Sequence, residues 1–170
     1  MPYRFLPVEE LPYPHAMADR GSLSCPYSLN ALRSRFNKGS DWYPTDHLYA
    51  QLYGDPDIRG EAQSCRTHRG SWAPVVAALE AFLAGFAPTA TAQEISDALV
   101  KSPPFQALNP EDRHLAKALL HPRDPIRVSQ HPISHTYSAV GQHRICAARC
   151  ANASQIPVWV DENTPARYRS

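Results

Sequence analysis

The apolar positions of this chain fall into two textures. Through its middle they recur at intervals of three and four residues, as helices require. Near the two ends they come in short β-branched runs. "YRFLPVEEL" (3–11) opens with a short strand, Arg4 to Val8, which Pro12 and Pro14 bring to a stop. "CPYSLNALRSRFNKG" (25–39) carries Leu29, Leu32 and Phe36 on one face. It predicts a helix capped by Ser24, with Pro26 in the first turn and Gly39 at the end. "PTDHLYAQLYG" (44–54) predicts a shorter helix, capped by Thr45 or Asp46. The polar stretch 55–71 predicts a loop. "APVVAALEAFLAG" (73–85) is nearly all apolar and predicts a central helix. "TAQEISDALVKS" (91–102) starts with a capping box, Thr91 to Glu94. "NPEDRHLAKALL" (109–120) starts with Asn109 as cap and Pro110 in the first helical position.

Beyond residue 124 the period changes. "PIRVSQ" (125–130) and "HTYSAV" (135–140) predict a β-hairpin, "QHRICAARCANA" (142–153) a short helix ended at Asn152, and "IPVWV" (156–160) a buried strand. The tail 161–170 is polar and is expected to be loose. The expected class is α/β, α+β in detail. A small mixed sheet would draw on both ends of the chain, 1–20 and 121–162, around a helical elaboration at 21–120, all within one domain.

Composition narrows the function classes. A net charge of +1 over 170 residues excludes a general polyanion binder, so any nucleic-acid contact would need a local patch. Arg33, Arg35 and Lys38 on the first helix are one candidate, and a solvated helix face is the alternative. No stretch approaches the roughly 20 apolar residues of a membrane span. Cys25, Cys65, Cys146 and Cys150 form no CxxC motif. The expectation is a reducing cytoplasm and free, buried thiols, with Cys146 and Cys150 packed against the sheet. Five histidines lie between 114 and 143, but their spacing fits no zinc motif, and no zinc is expected. His131 and His135 read as hairpin surface.

The chemistry concentrates at "VGQHR", where a strand should pass into a helix. The glycine suits the turn. Free amides and the dipole of the helix start favour an anion, and His143 and Arg144 add a proton-transfer group and a forked phosphate donor. A tight turn with both side chains solvated is the other reading of these four residues.

The surrounding motifs add a family likeness. Pro125-Ile126-x-Val128, Gly141-Gln142-His143-Arg144, Ala147-Ala148 and Ile156-Pro157-Val158 follow one another in this order, and "LPVEELPYP" (6–14) supplies an opening strand and proline turn. This pattern resembles the core of the ParB/sulfiredoxin superfamily. The resemblance implies ATP, with Mg²⁺, bound by its phosphates at the Gly-x-x-Arg corner. Gly141 and the amides of Gln142 and His143 would cradle the phosphates. Arg144 would stabilise charge on the transferring group, and His143 would orient a phosphate or water. Arg113, His114 and Lys117 of the preceding helix would be the further phosphate contacts, with Arg113 and Lys117 the two assigned.

Two departures matter. Sulfiredoxins place their catalytic cysteine where this chain has Gln142, and ParB proteins have a second arginine where it has Ile145. The long helical middle makes the chain look most like the plasmid-encoded fertility-inhibition and oncogenic-suppression group. That likeness implies ATP hydrolysis, DNase activity on a transfer intermediate, and interference with type IV secretion. It implies a cytoplasmic location, peripheral to the inner membrane beside the channel. The nuclease carboxylates and metal ligands are not identifiable. The alternative is a non-enzymatic module with a degenerate corner, binding nucleotide or a partner.

Overall fold

The computed structural model describes residues 2–15, 17–19, 25–65 and 68–169. Its strands come from the two ends of the chain and its helices from between, which is the α+β class expected. β1 (Tyr3–Pro7) runs antiparallel to β4 (Gln155–Trp159), with Phe5 opposite Pro157. β2 (Arg127–Gln130) runs antiparallel to β3 (Tyr137–Val140).

Among the described residues a single mixed sheet is not formed; there are two antiparallel pairs. One backbone bond among the described residues links them, Trp159 N–H to the Ile126 carbonyl at 2.8 Å. Alternate amides of a strand point the same way, so residue 157 would donate next along that edge. It is a proline and has no N–H, which leaves the linking ladder at one bond.

The helices largely follow their sequence signals. α1 (Leu29–Arg35) starts later than expected because Ser28, not Ser24, caps it, accepting from the Ala31 amide at 3.2 Å. Ser24 lies outside the described residues. α1 also stops early. Asn37 takes φ +50°, and Lys38 N–H bonds the Arg33 carbonyl at 2.8 Å, a Schellman ending that leaves Gly39 no capping role. α2 (Asp46–Gly54) is capped by Thr45.

The expected loop at 55–71 contains α3 (Pro56–Ala62). Asp55 Oδ1 accepts from the Asp57 and Ile58 amides, and Pro56 fills the first position. α4 (Trp72–Leu83) buries Trp72, Val75, Val76, Leu79 and Leu83, a stripe of helical period. α5 (Ala92–Leu99) has the Thr91–Glu94 capping box, α6 (Pro103–Gln106) is one short turn, and α7 (Pro110–Leu119) is capped by Asn109.

α8 (Gln142–Cys150) separates two cores. Ile145, Ala147 and Ala148 face the larger one, built on the strands and α4–α7. Cys146 and Cys150 face the smaller one, with Met17, Cys25, Tyr27, Leu32, Tyr49 and Ile58. The two cysteines therefore do not pack against the sheet. A helix buried on both sides has room for short residues only, which fits the run Cys-Ala-Ala. Asn152 caps the end of α8 as expected, in a left-handed conformation at φ +53°. The tail is not loose. Tyr168 is buried, its hydroxyl donates to the Glu10 carbonyl at 3.0 Å, and its ring meets Tyr137 edge-on.

Candidate functional site

The strand-to-helix corner exists as read. β3 ends at Val140, Gly141 turns the chain at φ +84°, and α8 begins at Gln142. The amides of Arg144 and Ile145 both bond back to the Gly141 carbonyl, at 2.9 and 3.1 Å. Gln142 and His143 come before them in the first turn of α8. Both residues are half-buried at the mouth of the corner.

Arg144 is not a solvated side chain. It is 7% exposed. Its Nη1 donates to the Ala118 carbonyl at 2.7 Å, and its Nη2 to Asp124 Oδ2 at 2.8 Å. Arg144 thus ties the corner to the end of α7 and to the turn before β2. The space that a side chain on residue 141 would need is filled by this guanidinium and by Ile126. The glycine serves close packing as well as the turn. Asp124, half-exposed beside the buried arginine, carries no motif and was missed in the sequence; only its placement reveals it.

The two cations assigned on α7 lie over α6. The Arg113 guanidinium and the Lys117 ammonium sit 5.9 and 5.6 Å from the centroid of Phe105, and Arg113 donates to the Gln106 carbonyl at 2.5 Å. These contacts draw both toward α6, whereas Ala118, the α7 residue that meets Arg144, belongs to the end of the helix. His114 is exposed.

On α1, Arg33 donates to the Trp42 carbonyl and lies over Tyr43, and Arg35 pairs with Glu61 at 2.7 Å. The candidate nucleic-acid face is thereby partly neutralised by its own chain. His131 and His135 are exposed on the β2–β3 hairpin, as expected, and His131 Nδ1 accepts amides of the turn.

A cleft of about 460 Å³ opens at the other end of α8, away from the corner. Val8, Tyr13, Tyr53, Arg149 and Ser154 are among the residues lining it. Arg149 donates to the Val8 and Leu11 carbonyls and stacks on Tyr13 at 4.3 Å. Its charge is used in holding the backbone of residues 8–11 and the aromatic rings together.

A second constellation was not visible in the sequence. Cys25, His68 and Cys146 each bring one sulfur or ring nitrogen within 4.8 Å of the others. Cys150 stands one helical turn beyond Cys146, in the same small core. All four cysteines are free and buried. Hydrogen bonding to Cys146 and then the nearby His68 pull the Cys25 thiol down to about 5, against the effect of burial. The same two partners pull Cys150 down to about 5. Burial opposes charge on His68, but Cys150 and Cys25 raise it to about 9. Burial pushes the Cys146 thiol well up. The cluster assembles residues far apart in the chain, so no spacing could announce it.

Searches of family models, of curated proteins and of solved structures give no match to this chain.

Proposed function

We propose that the chain is a nucleotide-binding ATPase and DNase that holds ATP phosphates at the β3–α8 corner and interferes with conjugative or T-DNA transfer through a type IV secretion channel. The observation that carries the nucleotide part is the left-handed Gly141 leading into α8, with first-turn amides at its mouth and a buried arginine braced behind it. The enzymatic and biological parts rest on the motif resemblance.

In this reading the amides of Gln142 and His143 receive phosphate oxygens. The Asp124 carboxylate stands where an anion is already stabilised by Arg144, and a phosphate oxygen would compete for the same guanidinium. His143 would orient a phosphate or the attacking water. Mg²⁺ would accompany ATP and neutralise charge on its phosphates. Arg113 and Lys117 would reach the nucleotide only by leaving Phe105.

The engagement of Arg144 by Asp124 and Ala118 favours a second reading, in which the corner serves the fold alone and the helical middle binds a partner. ATP hydrolysis and plasmid nicking, each measured on the wild type, Arg144→Ala and Arg144→Lys, test the first reading. It predicts that both activities fall roughly 10²–10³-fold in Arg144→Ala. It also predicts impairment in Arg144→Lys, which keeps the charge but loses the fork. Nicking that survives the loss of hydrolysis would move the DNase elsewhere. Neither activity in the wild type would leave the second reading.

A further inference from the structure

We propose that Cys25, His68, Cys146 and Cys150 form a closed, structural zinc site that fastens the helical middle of the chain to α8. This goes beyond the nucleotide reading and is independent of it.

Geometry is the first argument. In a tetrahedral site with Zn–S bonds of about 2.3 Å, sulfurs sit about 3.8 Å apart. One ligand atom each of Cys25, His68 and Cys146 already lies within 4.8 Å of the other two. Cys146 and Cys150 are one turn apart on α8, so both thiols leave the same helix face and enter the smaller core together. Small shifts of side chains would close four ligands on one ion.

Chemistry is the second. Three thiols and an imidazole are a soft sulfur-rich donor set, which selects Zn²⁺ among common divalent ions and excludes Mg²⁺ and Ca²⁺. Cys25, Cys146 and Cys150 are each no more than 4% exposed, which leaves no open position for a substrate. His68 Nδ1 is buried and makes no hydrogen bond. A buried imidazole nitrogen without a partner is costly in a metal-free protein. Metal binding would release to solvent the protons the set still carries, those of the Cys146 thiol and the His68 imidazolium.

Placement is the third. The ligands come from the segment before α1, the segment between α3 and α4, and α8. These pieces meet in the smaller core, which short helices of seven to nine residues enclose. A core of that size gains from a metal staple. Cys150 joins the three clustered ligands through the smaller core that it shares with Cys146, whereas Cys65, also buried, lies in neither the cluster nor that core.

The test uses the full chain, purified under reductant, with Zn²⁺ and Co²⁺ as probes. Elemental analysis should find one zinc per chain. Chelation should lower the melting temperature, and added Zn²⁺ should restore it. Co²⁺ should give the visible bands of a tetrahedral ion and thiolate charge transfer. Cys146→Ser should weaken metal binding by more than about tenfold, and Cys65→Ser should leave it unchanged. His68→Cys, which offers a fourth thiolate and is the variant expected to stay folded, should keep the metal and strengthen the charge-transfer band. The proposal is overturned if the folded, reduced protein takes up neither ion. It is equally overturned if Cys146→Ser binds as the wild type does, if His68→Cys leaves the cobalt spectrum unchanged, or if these cysteines are found in a disulfide.

Discussion

Gly141 and Arg144 are fitted to each other: a Cβ on Gly141 would stand 2.9 Å from Arg144 Nη2 and 3.0 Å from Ile126 Cγ1. The sequence suggests that substituting this glycine would damage nucleotide binding more than folding. The contact argues that folding suffers too. A left-handed φ of +84° alone costs a residue other than glycine about 1–3 kcal/mol. Gly141→Val should therefore lower the urea midpoint clearly, and Gly141→Ala by a smaller step. Midpoints equal to the wild type would show that the corner can relax freely.

Much of the fold was legible because local chemistry and tertiary need agree. Thr91 and Glu94, Asn109 and Pro110, and the alternation around the β2–β3 hairpin all say what the structure does. What failed had a physical cause. α3 has only Ile58 and Ala62 buried, too few apolar positions to outweigh its polar surroundings, although Asp55-Pro56 was a legible start signal. The tail looks polar, yet buried Thr164 and Tyr168 fasten it, with Arg4 donating to the Arg169 carbonyl. At the corner, the residue types were legible but not their engagement, since Asp124 and Ala118 carry no motif. The thiol–imidazole cluster was illegible because Cys25, His68 and α8 meet only after folding.

Asp124 offers a test of the anion position. If phosphate competes with its carboxylate for Arg144, then Asp124→Asn should bind ATP more tightly, since a like charge is removed while a polar group of similar shape remains. Calorimetric titration measures this directly. Weaker binding in Asp124→Asn would mean that Asp124 supports the site instead of standing in for its ligand.

Asp112 is a buried carboxylate that joins two helix starts. Its Oδ1 accepts from the Ser71 amide at 2.6 Å, where α4 begins, and its Oδ2 from Asn109 Nδ2 at 2.7 Å, at the cap of α7. Removing an ionised acceptor of buried donors typically costs about 1.5–3 kcal/mol. Asp112→Ala should show a loss of that order in chemical denaturation, and Asp112→Asn a smaller one. An unchanged midpoint would contradict the role.

Glu94 gives a pH dependence with a definite sign. Hydrogen bonds from the Thr91 amide and hydroxyl hold its carboxyl below the usual value. A group depressed in the folded state stabilises above its unfolded pKa, about 4.3, and that contribution fades as pH falls through the folded value. The stability difference between the wild type and Glu94→Gln should be full near neutrality and shrink in acid. A difference that grows with acidity would reverse the sign and remove the capping box as its source.

The nucleotide corner is tested most directly by following backbone amide resonances during titration with Mg²⁺ and ATP. The account predicts saturable shifts concentrated at Gly141, Gln142 and His143, with smaller ones at Arg144 and Asp124. Saturating ATP that leaves those amides unmoved, or moves only the cleft around Arg149, would contradict it.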